Sequence, residues 1–397
     1  MELDILALAS DFTHFSGPNN PILDLGNFLA TRSDRRFAVM THAGDVEPSF
    51  GDSLGFPVLR EMAGSSSVGA IRLSAAPVNL AILRRALQRV RPSSVIVFSS
   101  VDTAFELAWA TRRRIIAGHN VLLNVAGRRF YRESGQLWPS YRLREELLFG
   151  ALDRVAALSI VGRILAHTDF HKQLYMELGI PEERITVIPH CIDMARLDAS
   201  VADERPPPSS SHAFTLLYVG RLEPEKGVSQ LLEAAALASQ ESLLRLNVVG
   251  DGSLRGFVAE ASRSLGRDGR LAIEYHSRLS LSALAAAIRD CDAVIIPSFA
   301  EPFGIVALEA MTLGKPVIGV SRGGLAEVVR DGEQGLMVPR PDPPLLARAI
   351  IQLQEEPGLR SRLGSGGRRR VAETYDVRVV VPRFVRFMED AADGPES

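Results

Sequence analysis

Ile295-Ile-Pro-Ser-Phe-Ala-Glu-Pro-Phe-Gly-Ile-Val-Ala-Leu-Glu309 decides how the rest of this chain is read. The apolar run leading into it, residues 292–296, reads as a buried strand that Pro297 and Ser298 end. A loop then presents Glu301 and Pro302, and Gly304 opens an apolar helix that carries Glu309. A strand, a loop at its carboxyl end and a helix opening on glycine make an anion site. The first helical N–H groups have no intrahelical partner, and the helix dipole favours negative charge there. Glu309 lies five residues past Gly304, roughly 7.5 Å along a helix rising about 1.5 Å per residue. The two carboxylates are therefore staggered along a ligand and do not oppose each other across one bond.

Outward from this stretch the same alternation continues in both directions. Behind it, strands are predicted at 214–219, 245–249 and 271–275, with helices at 228–239, 254–265 and 280–289. Ahead of it come a strand at 316–320, a short helix ending near Arg330, and helices at 343–355 and 359–375. The first half reads similarly, with strands at 3–9, 37–41, 94–98, 115–117, 163–167 and 185–189. Helical segments at 22–32, 80–90, 102–113, 141–158 and 169–178 separate them, and 42–70 gives only weak signals. Short β-rich runs alternating with longer helices predict α/β architecture with parallel sheets. Between the halves, residues 202–212 hold three prolines and three serines in a row, which suit a linker. The expected organisation is a first domain over 1–201, a linker over 202–212, and a second domain over 213–375. A tail over 376–397 could form a helix packing back on the first domain, kinked by Pro382. Two doubly wound Rossmann-like domains would face each other across a cleft, with ligands at the carboxyl edges of both sheets.

Size and composition agree. The 397 residues exceed the roughly 250–300 at which single cores stop growing. A net charge of −2 gives no general field for nucleic acid. Among 45 basic residues only Lys172, Lys226 and Lys315 are lysines, so each is noticeable. Cys191 and Cys291 lie far apart and have no metal or redox spacing, as expected of reduced thiols. The start of the chain is acidic and too briefly apolar for a signal peptide, and no apolar run suits a membrane span, so a cytoplasmic location is expected. The segment 80–90 carries Arg84, Arg85 and Arg89. It fits either a sheet-covering helix with its arginines in water or a basic helix on anionic lipid, which leaves peripheral membrane contact open.

Arg221 and Lys226 place two cations on the loop after the 214–219 strand, where phosphate is the natural partner. The alternative is a solvated loop with local pairs from Arg221 to Glu223 and Lys226 to Glu225. Neither a Gly-x-Gly-x-x-Gly after the first strand nor a Gly-Lys-Ser/Thr phosphate loop occurs, so nicotinamide and nucleotide-hydrolase readings have little support.

Val219-Gly-Arg-Leu-Glu-Pro-Glu-Lys-Gly227, Gly250-Asp-Gly252, Pro297-Ser298, Glu301-Pro-Phe-Gly-Ile-Val-Ala-Leu-Glu309, Gly314-Lys-Pro-Val317 and Gly323-Gly-Leu-Ala-Glu327 occur in one order. In that order they resemble the motifs of retaining GT-B glycosyltransferases of family 4. The resemblance covers about residues 160–340. It implies an enzyme moving a sugar from a nucleotide diphosphate sugar to the hydroxyl of a glycan, lipid-linked or small-molecule acceptor, with retention and without a metal or other cofactor. Arg221 and Lys226 would hold the diphosphate, and the backbone of Phe303, Gly304, Ile305 and Val306 the distal phosphate and sugar. Glu301 would bind sugar hydroxyls and Glu309 the ribose. His119, after the strand 115–117, matches a family histidine facing the sugar, although a histidine at a strand end is also commonly structural. The family's first-loop glycine pair is reduced here to Gly17 followed by Pro18, which lacks an N–H. His190 stands in Pro-His-Cys-Ile-Asp193, where the family has Asn-Gly-x-Asp, and is expected only to shape a turn. An epimerase or hydrolase on the same scaffold, and a non-catalytic nucleotide-sugar-binding protein, remain the alternatives.

Overall fold

A computed structural model of the protein describes residues 4–8, 19–42, 54–62, 85, 88–89, 94–97, 115–117, 161–177, 179–202, 213–265 and 269–392. The expected sites Gly17 and His119, the expected helices 102–113 and 141–158, and residues 203–212 of the expected linker lie outside these. The chain forms two compact units. The second is formed by the described residues of Ile192–Asp376, and the first by the described residues before it together with Val377–Ala392.

Among the described residues the second unit is built on six parallel strands: β8 (Phe214–Val219), β9 (Leu244–Val249), β10 (Leu271–His276), β11 (Ala293–Ile296), β12 (Val317–Val320) and β13 (Gly335–Val338). Their order is β10-β9-β8-β11-β12-β13. Central β11 and β12 are buried along their whole length, as suits their Val- and Ile-rich runs without a polar residue in a sheet covered on both faces. Edge strand β10 instead alternates buried and open positions. Alternation assigns side chains to two cores. Leu216, Tyr218, Leu246, Val248 and Ile295 join one with helices Val228–Ala238 and Pro343–Glu355. Leu217, Val249, Val294 and Ile296 join the other with helices Leu281–Asp290 and Ile305–Thr312. Strand β13 had not been expected.

The boundary between the units differs from the expected one at 201–212. Helix Met194–Ala202 belongs to the second unit, where Met194 and Leu197 pack with Ile288, Ala307 and Leu308. Burying each such side chain is worth about 1.5–3 kcal/mol. Arg368 also holds Asp198 through both carboxylate oxygens, at 2.9 and 2.7 Å. Proline-rich composition marks only where a helix stops; packing decides which unit owns it.

Among the described residues the first unit has seven parallel strands: β1 (Ile5–Leu8), β2 (Phe37–His42), β3 (Val58–Met62), β4 (Ser94–Val97), β5 (Ile115–Ala117), β6 (Val161–Ala166) and β7 (Ile185–Val187). Their order is β3-β2-β1-β4-β5-β6-β7. Helix Asn19–Arg32 packs Ile22, Leu23, Leu25 and Leu29 against Ile5, Ala7 and Val39. Helix Val377–Ala392 contributes Val380, Val381, Phe384 and Met388 to the same core. Pro382 lies within this helix, which continues past it. Arg85 and Arg89 are exposed at helical positions. No described helix is long and apolar enough to cross a membrane.

Candidate functional site

The order β10-β9-β8-β11 makes β8 and β11 neighbours, with Ala293 beside Leu216 and Val294 beside Leu217. From β8 the chain winds outward one way and returns at β11 to wind the other way. The loops leaving their carboxyl ends therefore diverge, and such a switch point is where open α/β sheets bind ligands. Residues 220–227 and 297–304 are those loops.

The first loop is rigidly tied. Leu222 is fully buried, its N–H donates to Asp251 O (2.9 Å), and its carbonyl accepts from Leu254 N (2.8 Å). Tyr218 donates its hydroxyl to Arg221 O at 2.7 Å. Burial, and then the nearby Glu301 carboxylate, push the Tyr218 phenol above its ordinary range, so it stays a donor. Pro224 starts a single 3-10 turn, Pro224–Lys226, and Gly227 (φ 70°) ends it while opening helix Val228–Ala238. A Cβ on Gly227 would stand 2.0 Å from Pro297 O, so only glycine lets the two loops approach this closely.

The second loop leaves β11 at Pro297. Ser298 and Ala300 are buried, and Phe299 N donates to Glu225 O at 3.0 Å, a backbone tie to the first loop. A side-chain tie lies beside it. Lys226 Nζ is 2.7 Å from Glu301 Oε2, with both side chains about 15% exposed (15% and 16%). Ser298 Oγ donates to the same oxygen at 3.0 Å. Glu301 O accepts from Leu325 N at 3.2 Å, which fixes the backbone of that residue as well.

Gly304 (φ 91°) then turns the chain into helix Ile305–Thr312 in a left-handed conformation that few side chains adopt. Ala307 and Leu308 N–H groups reach back to Gly304 O, and those of Ile305 and Val306 lie ahead of that bond at the helix start. The Phe303 ring is buried edge-on against Tyr375, at 6.0 Å and 88°, so that residue can offer a ligand only its backbone. Glu309 is 6% exposed and so buried within its helix.

The cations pair differently from the local alternative. Arg221 Nη2 donates to Glu225 Oε1 (2.9 Å), while Glu223 accepts from Ser253 N (3.0 Å) and Oγ (2.6 Å). Lys226 crosses to the other loop instead of joining Glu225. The fold thus brings Arg221, Lys226, Glu301 and the helix start at 303–306 to one sheet edge. Sequence reading gave Tyr218 no role, Glu225 only a local pair with Lys226, and Ser298 only the end of a strand and a place in a motif. The available signal was position: each lies within three residues of a site residue at a strand end. His190, expected to shape a turn, stacks on His167 (3.6 Å, 30°).

The family model described as "Glycosyl transferases group 1" matches residues 202–370, and that described as "Glycosyltransferase Family 4" matches 17–196. D-inositol 3-phosphate glycosyltransferase of Geodermatophilus obscurus is 34% identical over 58% of this chain and 53% of its own. Glycogen synthase of Mycobacterium tuberculosis is 32% identical over 49% and 46%. The chain spans about half the length of the curated relatives it matches. The crystal structure of HepE from Anabaena in complex with UDP-glucose superposes with a TM-score of 0.74 at 18% identity, covering 98% of this chain and 100% of that one. The two family models run in succession along the sequence, and the likeness in fold extends over nearly all of it: the chain belongs to the group 1 glycosyltransferases and has the GT-B fold.

Proposed function

We propose that this protein transfers a sugar from a nucleoside diphosphate sugar to an acceptor hydroxyl, with retention of anomeric configuration and without a metal. The observation that carries the reading is the Lys226–Glu301 pair, 2.7 Å apart, beside the opening of helix Ile305–Thr312 at the switch point. A cation, a carboxylate and helix N–H groups at one edge suit a ligand that is anionic at one end and hydroxyl-rich at the other. Arg221 and Lys226 would hold the diphosphate, and the backbone over 303–306 would meet the distal phosphate and sugar. Glu301 would take sugar hydroxyls, and Glu309 the ribose hydroxyls deeper along the helix. The family resemblance assigns Gly17 and His119 to donor binding as well. The two cations and the helix dipole would stabilise the leaving diphosphate, the role a metal plays elsewhere. Glu301 and Glu309 are staggered along one helix start and do not flank a single bond as a glycosidase pair does. The proposal is therefore same-face substitution, in which the leaving phosphate accepts the acceptor's proton.

That HepE binds UDP-glucose makes it the first donor to try. A panel of nucleotide sugars with candidate acceptors, read by mass spectrometry, tests the proposal. Glu301→Ala and Lys226→Ala should each lower transfer by about 100-fold or more with circular dichroism unchanged. Full transfer in both variants rejects the assigned roles. Donor turnover that ignores the acceptor points to a hydrolase or an epimerase.

A further inference from the structure

We propose that Ser298 is a positioning residue that turns the Glu301 carboxylate toward the sugar; this rests on the donor-binding reading above. Ser298 is 2% exposed and directly follows the proline that ends the β11 exit. Its Oγ donates to Glu301 Oε2 at 3.0 Å, and Lys226 Nζ lies 2.7 Å from that same atom. Neither contact falls on Oε1. A carboxylate oxygen offers two lone-pair sites, so two donors occupy Oε2 and Oε1 is left to accept from a ligand hydroxyl.

The two donors differ in kind. Lys226 carries its charge on a long stem with three rotatable donors, and by itself it can follow the carboxylate through any rotation or bridge both oxygens. Ser298 has one short rotor, held by burial on a loop whose backbone is fixed to Glu225 through Phe299 N (3.0 Å). Lys226 therefore supplies charge, and Ser298 supplies direction. Without the hydroxyl, Glu301 would rotate to share both oxygens with Lys226, and a sugar hydroxyl would have to compete for them. The diphosphate contacts of Arg221 and the helix start would be untouched. The sequence places Ser298 three residues before Glu301, but only the folded loop shows that Ser298 shares the Glu301 Oε2 atom with Lys226.

The test separates the sugar-bearing part of the donor from the rest. Calorimetry would compare UDP-glucose with UDP, and GDP-mannose with GDP, on wild type, Ser298→Ala, Glu301→Gln and the double variant. Ser298→Ala should weaken binding of the nucleotide sugar that wild type selects by about tenfold, the scale of one hydrogen bond to a charged group, and leave the sugar-free diphosphate within twofold. In the Glu301→Gln background the same substitution should add almost nothing. Equal nucleotide-sugar affinity in wild type and Ser298→Ala overturns the proposal. So does an undiminished effect of Ser298→Ala in the Glu301→Gln background, or a parallel loss for the sugar-free diphosphate. Wild type that binds none of the four compounds defeats the donor-binding reading, and this inference with it. Wild type that binds but does not transfer defeats only the reaction, and the binding comparison still decides the role of Ser298.

Discussion

Each unit holds a polar cluster just past the carboxyl ends of two neighbouring parallel strands, and the two clusters handle charge in opposite ways. In the second unit, Lys226 and Glu301 stand past β8 and β11 as an ion pair at 2.7 Å, partly open to solvent. In the first unit, His167 and His190 stand past β6 and β7, stacked ring on ring at 3.6 Å. Nδ1 of His167 donates to Ile188 O at 2.7 Å, and His171 Nδ1 meets Thr168 Oγ1 at 2.6 Å. Burial lowers His167 to about 4, and burial followed by the neighbouring His167 lowers His190 and His171 well below their ordinary value. One cluster keeps its charges by pairing them; the other keeps charge out.

Topology accounts for the difference. Strands β6 and β7 are consecutive, and the helix between them, Asp169–Glu177, places His171 and Tyr175 in the space beside them. A consecutive crossover fills its own corner. Strands β8 and β11 are neighbours across a switch in winding direction, so no single crossover helix fills the corner, and ionised groups stay within reach of a ligand.

Exchanging the pair strikes hardest at this contrast. Lys226→Glu or Glu301→Lys alone should cost about 3 kcal/mol of second-unit stability by leaving like charges in a mostly buried place. The double exchange should recover most of it, read by thermal unfolding. Transfer should stay down by about 100-fold or more in the double variant, because the cation and carboxylate would meet the wrong ends of the donor. Recovered transfer would make the pair structural, like the histidine cluster.

Acid should act on the other side of the comparison. A histidine whose folded pKa is depressed contributes stability that is complete above its unfolded pKa and is lost as pH falls through the window below it. For His167 the window runs from 6.5 down to about 4. The unfolded chain binds the extra proton there, and the loss amounts to about 3 kcal/mol. Hydrogen-exchange protection factors over 161–191, corrected for the intrinsic pH dependence of exchange, should fall across that window, and His167→Leu should flatten the response. Protection that does not change between pH 7 and pH 4.5 would count against a neutral cluster.

The smallest effect belongs to Arg221 and Glu225, a pair whose carboxylate is buried but whose guanidinium is over half exposed (56%). Glu225→Gln keeps the shape and removes the charge. Donor KM should move by no more than about threefold, and less at high salt. A tenfold change would place this pair with Lys226–Glu301.

Much of the second unit was legible. Unbroken apolar runs gave β11 and β12, and Gly304 marked the helix start. The glycine of Lys226-Gly227 is explained by the approach of Pro297 O. Strand β13 (Gly335–Val338) was passed over because four residues opening on glycine carry no period, and only pairing with β12 makes them a strand. Strand β3 was hidden in the same way within a polar region. The buried histidines His167 and His171 also give no signal in sequence, since burial is a property of what surrounds them.

Alternation of apolar runs with helices, the breaks at Pro297 and Gly304, and the types of the residues at 221, 226, 301 and 309 were fixed by the sequence alone, because backbone sterics and solvation act locally. Tertiary structure decided which charges meet. Strand order made β8 and β11 neighbours and joined Lys226 to Glu301 across 75 residues of chain. It assigned helix Met194–Ala202 to the second unit and put Ser298 on the same oxygen as Lys226. The reason is physical: an ion pair and a shared hydrogen bond depend on distances of a few ångströms, and those exist only after distant strands have packed side by side.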